Sequence, residues 1–229
     1  MKIVSWNCNG AFRKKYEKIL ELDADIYVIQ ECEPPDEIKG ELKKLISNGI
    51  GEKGANKKGV LVFAKSDVKL EKMKWDFFGM RVFIPIMVND SFPLVAVWTT
   101  KPAYIEEFYI WQLVNSERIN KDVVIIGDFN SNAVWDKGHS ERGHSIVVSM
   151  LKEKGLESAY HYVTGEKQGE ETKPTFHMYR KVEKTFHIDH CFIKPERIQT
   201  YEVLDRSWLK ISDHIPVVLE MKNERECDD

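Results

Sequence analysis

Three short polar clusters stand where apolar stretches end: Gly-Asp-Phe-Asn at 127 to 130, Ile-Asp-His at 188 to 190 and Ser-Asp-His-Ile-Pro at 212 to 216. Asn7, closing Lys-Ile-Val-Ser-Trp, and Glu31, closing Ile-Tyr-Val-Ile-Gln, place an amide and a carboxylate in similar positions. This is the donor set of a hydrolase. Asp128 can take a proton from water, whereas Asn130 can only hold geometry through its amide. Two residues apart on an extended segment, they face the same way. An Asx turn closing a strand would also use Gly-Asp-x-Asn.

Glu31 is costly to bury without a cation. One carboxylate with neutral oxygens such as that of Asn7, completed by water, is how Mg²⁺ is usually held. A histidine beside a carboxylate stays protonated near neutral pH, and such a cation can bind the charged oxygens of a phosphoryl transition state or act as a general acid. Asp213 and His214 are adjacent and diverge if extended, so the partner expected for His214 is Asp189 on a neighbouring strand. Asp213 is left to face the metal, and His190 alternates away from Asp189.

The elements that must position these groups follow from periodicity. Residues 2–8, 26–31, 59–64, 68–75, 81–88, 92–99, 122–128, 186–193 and 215–221 read as strands. Helices are expected over about 12–22, from Pro34-Pro35 to about 46, over 103–118 and over 144–154, with a Gly- and Glu-rich loop at 165–173. Buried strands with polar tips, separated by helices, imply an α/β (α+β) fold of two packed sheets with helices on their outer faces and the active groups on one rim. Residues 1–222 are expected to form one domain and 223–229 a polar tail.

The 229 residues are 42% hydrophobic and 31% charged, enough to bury a substantial core, and no apolar run is long enough to span a bilayer. With no signal-peptide pattern at the N-terminus, a cytoplasmic location is expected. Cys8, Cys32, Cys191 and Cys227 show no zinc spacing and are read as reduced, packed thiols. A net charge of −3 argues against binding polyanions over the whole surface. Local lysine runs, at 39–58 and at Arg13-Lys14-Lys15, are read as solvated faces that would become a phosphate track if they flank the carboxylates. His139, His144 and His161 are expected at the surface.

Taken together, Ser-Trp-Asn-Cys-Asn-Gly at 5 to 10, Ile-Gln-Glu at 29 to 31 and the three clusters above resemble the endonuclease/exonuclease/phosphatase superfamily over nearly the whole chain. The resemblance implies a four-layered α/β sandwich of two mainly antiparallel mixed sheets, and Mg²⁺- or Mn²⁺-dependent hydrolysis of phosphoesters. By motif match it implies Asn7 and Glu31 as metal ligands with Asp213 nearby, and Asp128 activating a water that Asn130 positions. Asp189 would orient His214, which would stabilise the transition state. Asn9 falls where the DNA-repair branch has Asn or Asp.

One departure concerns the strand end Val-Trp-Thr-Thr at 97 to 100, where relatives place a His or Tyr near the phosphate. Trp98 or Thr99 would occupy that slot, with His177 and His187 as substitutes. Phe12, Trp98, Trp135 and Phe176 are either core residues or stacking surfaces for a base. The resulting expectation is a monomeric nuclease or phosphodiesterase acting on DNA or RNA by in-line attack of water. A hydrolase of small phosphoesters (a nucleotide, inositol phosphate or lipid head group) and a silent scaffold on the same fold are the competing expectations.

Overall fold

Two six-stranded sheets carry the apolar strands. The first runs, in spatial order, β13 (Ile198–Val203), β14 (Val217–Met221), β1 (Lys2–Asn7), β2 (Ile26–Cys32), β4 (Gly59–Ala64), β3 (Ile50–Lys53). The second runs β5 (Leu70–Lys72), β6 (Phe83–Val88), β7 (Phe92–Trp98), β8 (Val124–Asp128), β12 (Asp189–Ile193), β9 (Glu157–Ser158). A short ribbon, β10 (Phe176–His177) with β11 (Thr185–Phe186), stands apart. In this computed structural model residues 1–222 are described, except Ala55, Phe77 and Arg81. The tail expected over 223–229 lies outside the described residues.

Each large sheet holds one parallel pair, β1 with β2 and β7 with β8, and its other pairs are antiparallel. A parallel pair needs a crossover. The first crossover carries α1 (Tyr16–Leu20), and the second carries α3 (Ile105–Val114).

Strand alternation then sorts the apolar side chains into layers. Ile3, Val28 and Val62 meet Ile84, Ala96 and Ile126 between the sheets. Val4, Trp6 and Ile29 face outward onto Phe12, Ile19 of α1 and Leu42 of α2 (Gly40–Leu45). On the far side Val95, Val97 and Ile125 pack on Phe108 and Trp111 of α3 and on Val147 and Leu151 of α4 (His144–Glu153). Helix, sheet, sheet, helix is the expected four-layered sandwich.

Gly127 is required where β8 runs beside β7, opposite Val97. At φ +152°, a Cβ there would sit 2.0 Å from the Val97 carbonyl oxygen. The tip bearing Asp128 therefore lies closer to β7 than any residue with a side chain allows.

Several elements are shorter than periodicity implies. The helix expected over 12–22 is a 3₁₀ turn at Phe12–Lys14 followed by α1, because Ala11 is left-handed and Lys15, at φ −128°, breaks the helical path. The segment after Pro34 becomes helical only at Gly40. The strand expected over 68–75 pairs only as Leu70–Lys72. A further helix, α5 (Ala159–Thr164), and strand β13 had not been expected. Cys8, Cys32 and Cys191 are free and buried, as packed thiols should be. Among the described residues no helix is long and apolar enough to cross a membrane.

Candidate active site

The tips of β1, β8 and β12 converge with the segment 212–214. Asp128 lies opposite Asp189 in the β8–β12 ladder and opposite Trp98 in the β7–β8 ladder. From the other sheet, Asn7 Nδ2 donates to Asp128 Oδ2 at 2.8 Å. Ser212 Oγ donates to the Asn7 carbonyl at 2.8 Å, and Trp6 Nε1 to the His214 carbonyl at 3.1 Å. The Asn7–Asp128 bond joins the two sheets at the rim, and the other two tie the segment 212–214 to β1.

Asn130 does not continue the strand as expected. It turns left-handed at φ +45°, and its backbone N and Nδ2 donate to Asp128 Oδ1 and Oδ2 at 2.8 and 2.9 Å. The Asx turn and the clustering of acid and amide are one structure. Asp128 is fully buried, and burial, then Asp189, push its carboxyl up to about 8 despite His214 and the Asn7 amide.

His214 Nδ1 meets Asp189 Oδ2 at 2.9 Å. Burial opposes charging the ring, but Asp189, Asp128 and Asp213 more than offset it, and the His214 pKa is raised to about 10. Asp189 is itself fixed by Thr175, whose Oγ1 accepts from the backbone N of Ile188 and of Asp189 at 3.0 Å each. Phe176 packs its ring 4.7 Å from that of His214. The result is a buried imidazolium held by carboxylates.

Glu31 is presented differently. The β2–β4 register jumps from Gln30 opposite Val60 to Cys32 opposite Gly59, so Glu31 is bulged out of the ladder at φ +57°. A glutamate in the left-handed region costs about 1–3 kcal/mol, and such strain collects at functional sites. Its carboxylate pairs with the Lys58 ammonium. Glu31, Asp213, Asn9, Asn130 and His214 all line one cavity of about 400 Å³, with Lys58, Lys101 and Tyr104 at its walls.

The donor types in this cavity fit a hard divalent cation, for they include two carboxylates and amide oxygens, and no thiol. A cation, the Lys58 ammonium, already sits on Glu31. Asp128, Asp189 and His214 also bring ligand atoms within 4.8 Å of one another. A protonated ring whose Nδ1 is committed to Asp189 offers no lone pair to a metal, so the Glu31 side is the better cation site.

The substrate candidates divide. Asn9 is exposed at the cavity, with its backbone N on Asn7 Oδ1 at 3.0 Å. Trp98 also reaches the cavity wall, although it is only 5% exposed. Thr99 lines the same cavity, but its side chain is buried and its hydroxyl donates to the Phe129 carbonyl.

His177 and His187 lie away from this cavity. Both are buried and absent from the cavity wall, bonding the Lys181 and Lys173 carbonyls, and burial lowers both their pKa values. His144, expected at the surface, is 1% exposed, and His139 and His161 are half-buried. Of the aromatic candidates, Phe12 is core, Trp135 packs at a tilt on Phe186, and Phe176 lines the cavity. Lys58 was expected only as part of a lysine run that could form a phosphate track, and neither Thr175 nor Ser212 was expected to have a role of its own. A lysine in a lysine run and a lone hydroxyl carry no distinctive sequence signal.

A profile of the Endonuclease/Exonuclease/phosphatase family matches residues 4–214. Among curated protein sequences none matches the chain. Several solved structures share the fold. The 3' phosphatase NExo from Neisseria, bound to product DNA hairpin, is 19% identical with a TM-score of 0.65, over 97% of this chain and 100% of its own. An AP endonuclease from Archaeoglobus fulgidus is 15% identical with a TM-score of 0.71, over 97% and 100%. TDP2 from D. rerio, complexed with single strand DNA product, is 17% identical with a TM-score of 0.64, over 97% and 99%.

Proposed function

The chain belongs to the Endonuclease/Exonuclease/phosphatase family, and on that premise we propose that this metal-dependent phosphoester hydrolase is a Mg²⁺- or Mn²⁺-requiring phosphodiesterase that cleaves DNA. One observation carries the reading. Asn130 and His214 open from the buried acid cluster onto the same cavity wall as Glu31 and Asp213, beside Lys58 and Lys101. A phosphodiester entering there meets cations at the rim and the acid–base groups behind.

In this reading Glu31, Asn7 and Asp213 hold the metal, which when bound supplies neutralising charge to the phosphoryl group and its leaving oxygen. Asp128, whose pKa sits near 8, accepts the proton of the attacking water, since a base works best with a pKa near the working pH. Asn130 and Asn7 fix the carboxylate's orientation by donating to it. His214, kept cationic by Asp189, donates to the equatorial oxygens as negative charge builds.

DNA is favoured as substrate because two structures of the same fold, those of NExo and TDP2, hold DNA products. A monomer in the cytoplasm belongs to the same reading, and three free buried thiols suit a reducing compartment.

The test is a panel of single-stranded, duplex and abasic DNA, RNA, and p-nitrophenyl mono- and diesters with Mg²⁺, Mn²⁺ or EDTA. Metal-dependent cleavage of DNA that EDTA abolishes is expected. Turnover of the small esters alone would replace DNA by a small phosphoester as substrate.

A further inference from the structure

We infer that Lys58 is a built-in counter-ion of the metal site: its ammonium occupies Glu31 before the metal does, so that metal entry must displace it. The inference rests on the reading of Glu31 as a metal ligand. Its basis is the way both residues are held. Glu31 leaves the β2–β4 ladder in a bulge, and its own carbonyl accepts from Gly10 N at 3.0 Å. The bulge is therefore tied to the loop after β1 and cannot swing away from the cavity. Lys58 immediately precedes β4, and its carbonyl accepts from Gly54 N at 2.8 Å, which anchors it at the base of the β3–β4 hairpin. From two fixed backbones the side chains meet across the bulge, with side-chain exposures of 32% for Lys58 and 20% for Glu31.

Lys101, the other lysine of the cavity wall, forms no salt bridge with Glu31, and two cations near Asp213 are engaged elsewhere. Lys15 Nζ donates to the Cys8 carbonyl at 2.6 Å and Arg180 to the Lys210 carbonyl at 3.3 Å. Asp213, the other acid of the cavity wall, has no cation within salt-bridge distance among the described residues. Lys58 therefore pairs selectively with the acid expected to carry most of the metal's charge. A divalent ion and an ammonium cannot share one carboxylate edge without repulsion. Once displaced, the ammonium remains beside Lys101 at the cavity wall, where an incoming phosphate would meet it.

The sign of this competition is testable without turnover. Mn²⁺ affinity is measured on the full chain without substrate, by the loss of the free Mn²⁺ resonance or by calorimetry, for wild type, Lys58→Met, Lys58→Arg and Glu31→Gln. Circular dichroism and thermal unfolding check that each variant folds. Removing a partly exposed ion pair is worth up to about 1 kcal/mol, so Lys58→Met should tighten Mn²⁺ binding about two- to fivefold. Lys58→Arg, whose fork grips a carboxylate at two points, should weaken it. Glu31→Gln should weaken it more strongly.

Unchanged or weaker binding in a folded Lys58→Met protein overturns the inference while leaving the metal reading intact, provided Glu31→Gln still weakens binding. If Glu31→Gln changes nothing, both fall, because the metal is then held elsewhere.

Discussion

Two histidine-bearing regions lie back to back along β12, and the same side chain ends in opposite states in them. On one side Asp189 holds His214, whose pKa is raised to about 10 by carboxylates despite burial. On the other, His190 packs between His144 and His187, with ring centroids 4.7 and 5.1 Å away. There burial prevails: His144 is pushed down to about 4 and His190 well below its ordinary value. All three of these rings, and His214, are less than 5% exposed. What differs is the company. His144 bonds the neutral Ser131 hydroxyl and Gln168 amide at 3.2 and 3.1 Å, whereas His214 has three carboxylates nearby. A buried histidine is a cation only where the fold also buries the acids to hold it.

The strongest way to break this contrast is to remove the acid assigned the proton. Asp128→Asn should lower kcat by about 10²–10⁴-fold, the usual share of a general base. The acid-unfolding behaviour of the His144 side should not move. A loss under tenfold, with metal affinity retained, would make Asp128 a structural acid and leave His214 without the partner reaction proposed for it.

The next effect is on stability, measured by denaturant unfolding in EDTA from pH 4 to 10. His144 is neutral in the fold and binds a proton in the unfolded chain below its ordinary value of 6.5. Its contribution is complete above pH 6.5 and lost as pH falls to about 4, and the difference amounts to about 3 kcal/mol. His187 and His190, also lowered by burial, act in the same direction. His214 runs the other way: its contribution is complete below pH 6.5 and lost as pH rises to about 10. Asp128, raised from 3.8 to about 8, loses stability upward through its own window. Stability should therefore peak near pH 6.5. His144→Phe should flatten the acid limb, and His214→Gln the alkaline one. A single limb altered by both substitutions would mean that the two regions titrate as one.

The catalytic side of this contrast was legible in the sequence and the other side was not. Asp128 closes an apolar strand, Asp189 opens one and His214 stands just before one, and a polar residue at a strand tip announces itself by interrupting a pattern. Asn7 and Glu31 announced themselves in the same way, and the structure brings all five together at one rim. His144 gave no such signal. It opens an amphipathic helix, and the groups that satisfy it, Ser131 and Gln168, lie 13 and 24 residues away. Burial that depends on distant neutral partners leaves no local trace. Nor did Thr99 give any local sign that its hydroxyl would be taken up by Phe129, 30 residues on. Glu31 had been expected to need a cation, and the structure adds that a lysine just ahead of the neighbouring strand β4 already supplies one.

The smallest expected effect tests whether the two regions are independent. Thr175 is the residue between them: its Oγ1 receives the backbone N of both Ile188 and Asp189, and its carbonyl accepts from Ile215 N at 2.7 Å. Thr175→Val keeps shape and volume but leaves two buried N–H groups without that acceptor, which should cost about 1–3 kcal/mol. Thr175→Ser should restore most of it, since the hydroxyl returns. If Thr175 also aims Asp189 at His214, the valine variant should lower the His214 pKa in the metal-free protein, read by NMR, and reduce kcat several-fold with KM held. A stability loss with an unshifted His214 titration would confine Thr175 to the fold. Asp189 would then owe its aim to the β8–β12 ladder alone.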